Sequence, residues 1–126
     1  LDAAVRYAKD RVQFGVPLAS HQAIQMMLAE MGTHVAAARL LVQRAAWLQD
    51  QGRRTPMESS VAKLFAATMA TRVCDTAVQI HGGYGYTRDF PVEQKLRDVK
   101  LCEIGEGTNE VQRMIIARQL LAGSAP

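Results

Sequence analysis

The chain has 126 residues, of which 48% are hydrophobic and 21% charged, with a formal net charge of +3. That length fits one domain able to bury a core. No apolar run reaches the roughly 18 residues that would cross a bilayer, and the mild, scattered basic charge argues against a nucleic-acid surface. Cys74 and Cys102 are too few for a disulfide framework and lack metal-site spacing. Both are therefore expected as reduced, part-buried thiols of an intracellular protein, with no metal bound.

The chain opens on LDAAVRYAKDR, in helical register, with no initiator methionine and no basic-then-apolar signal segment. This is expected of an excised domain. Leu1, Val5, Ala8 and Val12 line one face of a helix over residues 1–14. Gly15 and Pro17 break it, and Ser20 is placed to cap the next helix. From His21 to about Gln51, Ile24, Leu28, Met31, Val35, Ala38, Leu41, Ala45 and Leu48 keep three-or-four spacing. This predicts a helix of roughly 30 residues, on the order of 45 Å long, ended by Gly52. Thr55, Pro56, Met57 and Glu58 combine a capping box with proline at the first helical position. The third helix should then run to about Ile80. A glycine-rich loop, HGGYGYTRDFP, precedes a short helix over VEQKLRDVKLC and a last helix from Thr108 carrying Met114, Ile115, Ala117, Leu120 and Leu121. The fold expected is all-α, an up-and-down bundle of long antiparallel helices. Dense alanines allow close helix approach and packing of another subunit. Trp47 reads as a packing anchor, Met26, Met27 and Met31 as core filler, and His34 as a surface histidine. Arg97 and Asp98 read as an ion pair with neighbouring segments.

One stretch is at odds with simple packing. In CEIGEGTNEVQRMIIARQLL a carboxylate, Glu106, stands between Gly105 and Gly107, just before the last helix. Alone, GEGT more often marks a helix cap than a reactive group. The GGYGY loop is likewise unlike a phosphate-binding GxGxxG, because no strand precedes it.

Five motifs change that balance: RVQFG (11–15), SHQAIQ (20–25), VQIHGGYGY (78–86), LRDVK (96–100) and EGTNEVQRMIIAR (106–118). Together, in order, they resemble the C-terminal α-helical domain of acyl-CoA dehydrogenases over essentially the whole chain, 1–126. The N-terminal helical and middle β domains of that family are absent from it. The resemblance implies that Glu106 is the catalytic base, taking the α-proton of an acyl-CoA while the β-hydride leaves to FAD. A thioester α-proton is weakly acidic, so such a base has to sit within hydrogen-bond reach with water excluded. In the family the amide N–H of this glutamate also donates to the thioester carbonyl.

The remaining motifs imply FAD contacts, several of them across a subunit boundary. Arg11, Gln13 and Phe14 match a segment near the pyrophosphate of a neighbouring subunit's FAD, where arginine suits phosphate oxygens. His21 and Gln22 match positions near the adenine. Gln79, Ile80, His81, Gly82 and Gly83 match a stretch whose glycines let a nucleotide lie on the main chain, with His81 standing where many members carry leucine. Thr108, Asn109 and Glu110 match the segment touching flavin in the same site. Gly107 and Arg118 are implied substrate contacts. So is Gly105, where many relatives carry a tyrosine beside the acyl pocket; its absence should widen the pocket at the reacting carbons. The partners implied are an acyl-CoA, a second or fourth copy of the chain, and electron-transfer flavoprotein. The compartment is the bacterial cytoplasm or, in a eukaryote, the mitochondrial matrix. A flavin monooxygenase or a catalytically silent homologue on the same fold is the alternative; retention of Glu106 opposes the first, and the joint presence of base and flavin contacts opposes the second.

Overall fold

Helical periodicity runs through nearly the whole chain, and a computed structural model, which describes residues 1–123, folds it as helices around one central rod. α1 (Asp2–Asp10) leads into a small antiparallel hairpin, β1 (Val12–Gln13) and β2 (Val16–Pro17), followed by a 3-10 turn at Leu18–Ser20. α2 (Gln22–Asp50) and α3 (Pro56–His81) are the long elements. A second 3-10 segment, Gly82–Tyr86, precedes α4 (Val92–Ile104) and α5 (Asn109–Leu121). α3 is the rod against which α1, α2, α4 and α5 all pack. The all-α bundle expected from the sequence is what forms, and none of the described helices is long and apolar enough to cross a membrane.

The first helix is shorter than its apolar spacing predicts. It stops at Asp10 because Phe14 and Gly15 both take positive φ, 54° and 79°, and fold the next residues into a two-residue hairpin loop. Val12, placed by periodicity on the buried face, is 52% exposed on that hairpin. Ser20 does not cap α2; His21 takes the N-cap position and no side chain bonds there. Thr55 and Pro56 do start α3, but the reciprocal capping box is not made. The Thr55 hydroxyl pairs instead with Ser59 Oγ at 3.1 Å.

All eight apolar residues of the α2 stripe are buried or half-buried. The main core joins Ala4 and Ala8 of α1, Met31 of α2, Val73, Ala77 and Ile80 of α3, and Val92 of α4. The two alanines let α1 lie close over α3. Met31, 1% exposed, contributes about 1.5–3 kcal/mol by its burial. Of the three methionines expected as filler, Met31 alone is deep; Met26 is 61% exposed. Trp47 is no anchor: it is 60% exposed, since Ala45 and Leu48 take the inward positions of that turn. His34 is half-buried, lining an apolar groove between α2 and α3. Arg97 pairs with Glu93 one turn back in its own helix (3.0 Å), not with a neighbouring segment. Cys74 is half-buried, and burial pushes its thiol up, whereas Cys102 is exposed.

α5 departs most from its apolar pattern. Met114, Leu120 and Leu121 face outward, and the residues it buries are Asn109 and Gln112.

Candidate active site

The α4–α5 connection is a built turn. Gly105 closes α4, its N–H donating to the Leu101 carbonyl at 2.7 Å, and its extended backbone (φ −73°, ψ 159°) leads the chain away. Glu106 and Gly107 then both take positive φ, 55° and 84°. Thr108 caps α5 by accepting the Val111 N–H on its hydroxyl at 3.3 Å. A left-handed glutamate is held against a cost of order 1–3 kcal/mol, and such strain concentrates at functional sites. Among the described residues, Phe14 and Glu106 are the two non-glycine residues with positive φ, and each falls in one of the sequence motifs. The Glu106 side chain is exposed at the tip of its turn.

Beneath the turn, Gln112 is 7% exposed; its Nε2 donates to the Gly107 carbonyl at 3.2 Å and lies 3.5 Å from that of Glu106. Asn109 is buried as well. Its Oδ1 accepts from Lys63 Nζ at 3.2 Å and its Nδ2 donates to Thr68 Oγ1 at 3.4 Å, docking the start of α5 on α3. Its side chain thus faces inward, while Glu110 faces outward and pairs with Arg113 at 3.3 Å. The Glu110 carboxyl is held below the usual carboxylate range, first by its own backbone N–H and then by the Thr108 hydroxyl. Arg118 is exposed on the last turns of α5, roughly 15 Å along the helix from Thr108.

A second cluster forms where α1, the hairpin and the end of α3 meet. Arg11, Gln13, Ile80, His81, Gly82 and Gly83 line one cavity of about 500 Å³. The Arg11 backbone is pinned at both ends, its N–H donating to the Tyr7 carbonyl (2.9 Å) and its carbonyl accepting from Leu18 (2.8 Å). Its guanidinium lies over the Tyr84 ring, 5.3 Å from the centroid. His21 Nε2 donates to the Gln13 carbonyl at 3.4 Å, and the Phe14 ring, 93% exposed, meets His21 edge-on. Gln22 and Gln79 are exposed, whereas Ile80 and His81 are buried. Gly82 takes φ +59°, and a Cβ at Gly82 or Gly83 would meet open space. A cavity floored by bare glycine backbone, with an arginine fixed at its wall, fits the phosphate-bearing part of FAD.

The two clusters are not one site on a single chain. Thr68, which anchors the α5 end, and His81, which walls the cavity, are separated by roughly 20 Å along α3. Sequence reading missed Gln112, Tyr7 and Tyr84. Gln112 had a signal: with Asn109 and Ile116 it shares the inward stripe of α5.

Residues 1–121 match the family described as acyl-CoA dehydrogenase, C-terminal domain. A probable acyl-CoA dehydrogenase of Bacillus subtilis is 57% identical over 121 residues, 96% of this chain and 32% of that protein. A 3-(aryl)acrylate reductase of Clostridium sporogenes is 51% identical over 96% of this chain and 32% of its own length. The solved butyryl-CoA dehydrogenase of Megasphaera elsdenii superposes with a TM-score of 0.94 at 46% identity, covering 95% of this chain and 31% of that one. The chain thus spans about a third of the length of the relatives it matches.

Proposed function

The chain belongs to the acyl-CoA dehydrogenase family, matching its C-terminal domain, and on that premise we propose that it is part of an FAD-dependent oxidoreductase converting an acyl-CoA to its 2-enoyl-CoA. The observation that carries this is Glu106, a carboxylate held left-handed between two glycines at the start of α5. In the proposed step the carboxylate takes the α-proton as the Cα–H bond breaks. The Glu106 backbone N–H stabilises negative charge on the thioester oxygen, because a fixed dipole in a dehydrated site needs no reorganisation. Gly107, without a side chain, leaves room for the thioester beside the backbone. Bound FAD supplies the acceptor for the β-hydride. Arg11, with the glycine floor at Gly82 and Gly83, would hold the pyrophosphate of a neighbouring subunit's FAD, and Phe14 would present its exposed ring to that subunit from its left-handed turn. Assembly as a dimer or tetramer, electron-transfer flavoprotein as oxidant and a bacterial cytoplasmic or mitochondrial matrix location belong to the same reading.

The relative named as a 3-(aryl)acrylate reductase favours a second reading, the same chemistry run backwards. There the Glu106 carboxyl would deliver a proton to the α-carbon while the β-carbon takes a hydride that reduced flavin would supply. The complete enzyme, assayed with saturated and 2-enoyl thioesters in both directions, separates the two. Glu106→Gln should retain FAD and bind acyl-CoA yet lose turnover by about 10²–10⁴-fold or more. Near-normal turnover in that variant overturns both readings.

A further inference from the structure

We propose that Gln112 is the positioning residue of the Glu106 turn, a role that rests on the reading of Glu106 as the base. Its backbone belongs to the first turn of α5, where its N–H donates to the Thr108 carbonyl at 3.0 Å. Its side chain leaves the helix and reaches back under the preceding turn, where Nε2 donates to the Gly107 carbonyl (3.2 Å) with the Glu106 carbonyl at 3.5 Å. Those carbonyls belong to the two successive positive-φ residues. Rotating the Glu106–Gly107 peptide changes ψ of Glu106 and φ of Gly107, and the Gln112 amide opposes that rotation by holding the oxygens on either side of Gly107. Holding that peptide fixes ψ of Glu106, and with it the backbone from which the carboxylate projects. The φ of +84° already favours glycine at 107, and a Cβ there would in addition stand 3.0 Å from Gln112 Nε2. Gln112 itself is 7% exposed and both bonds are part-buried, so its loss removes the amide donor that ties the turn from beneath.

The test uses the complete FAD-loaded enzyme with Gln112→Met, which keeps volume and removes the donor, and Gln112→Glu, which keeps shape. We expect kcat to fall about 10- to 100-fold in Gln112→Met, the size of loss that accompanies small misplacement of a reacting group. KM and FAD content should stay near wild type. In Gln112→Glu the ionised carboxylate faces two carbonyl oxygens and cannot donate, whereas the protonated form can. Burial raises a carboxyl pKa, so the kcat of Gln112→Glu relative to Gln112→Met should rise as pH falls, and dividing by Gln112→Met cancels the titration of Glu106. A kcat within twofold of wild type, a pH-independent ratio, or loss of FAD and fold in both variants overturns the proposal. Glu106→Gln run in parallel separates the two claims. If it is inactive while Gln112→Met is normal, only the positioning role fails; if it remains active, the base reading fails first.

Discussion

The Tyr7 and His81 rings stack with centroids 4.2 Å apart and planes 23° from parallel, joining α1 to the last residue of α3. His81 is 2% exposed, and its Nδ1 donates to the Ala77 carbonyl at 2.7 Å, while Phe90 meets its ring edge-on. A histidine expected to face the nucleotide is thus held inside an aromatic cluster, and it is the following glycines that open to the cavity. His81→Leu fills similar volume but removes the stack and the ring bond. It should destabilise the fold by about 1–2 kcal/mol, read as a lower urea midpoint. An unchanged midpoint would show that the cluster tolerates leucine and that the ring contributes nothing to α1 docking.

Much of this fold was legible because α2 and α3 are long. Over so many turns the stripe from Ile24 to Leu48 leaves little choice of face. Short segments were not legible. Whether the chain after Asp10 continues as helix or turns at Phe14 depends on a left-handed phenylalanine, which no propensity favours. The buried face of α5 was misjudged for a related reason. Asn109 buries because Lys63 and Thr68 supply partners, and partners 46 and 41 residues distant leave no local trace, whereas Gln112 bonds carbonyls of the adjoining turn. Motif resemblance picked out Glu106 and Phe14, and both take positive φ in the fold.

Arg11→Ala in the complete enzyme should lower FAD affinity about ten- to a hundredfold, the size of one lost charge-assisted phosphate contact of roughly 1.5–3 kcal/mol. Arg11→Lys should recover only part, since lysine keeps the charge but not the planar fork lying over Tyr84. Flavin fluorescence during dilution measures both. Equal FAD retention in all three proteins would remove Arg11 from the cofactor site.

Glu103 ties α4 to α3 near the Glu106 turn, accepting from Thr71 Oγ1 at 2.7 Å and pairing with Lys100 at 2.6 Å. Hydrogen bonds from Lys100 first and Thr71 second hold its carboxyl below the ordinary carboxylate range. A folded-state pKa lowered in this way stabilises above the unfolded value, and that contribution is lost as pH falls through the folded value. Amide exchange in the last turn of α4 should therefore be faster in Glu103→Gln than in wild type at neutral pH. The difference should shrink on acidification below the carboxylate range, and it should weaken with salt because the pair is exposed. A difference that persists unchanged in acid would assign the tie to shape and not to charge.

Gly105 offers the sharpest test of substrate range. Its φ of −73° is ordinary for any residue, so glycine is not required there by backbone conformation. An added Cβ would lie 3.2 Å from the Leu101 carbonyl and 3.6 Å from Leu101 Cδ1, a tight contact that a shift of a few tenths of an ångström relieves. Glycine leaves space immediately before Glu106, and a larger side chain enters it where the end of α4 gives by that amount. We expect the complete enzyme to accept acyl groups that are branched or cyclic near the thioester. Gly105→Tyr should selectively lower kcat/KM for an α-branched acyl-CoA relative to a straight-chain one, by a clash of order 1–3 kcal/mol, or about ten- to a hundredfold. Gly105→Ala is the control, because it adds the contact with Leu101 without filling the pocket. If alanine already depresses both substrates, the effect comes through displacement of Glu106. If tyrosine lowers both equally or neither, Gly105 does not shape the acyl pocket.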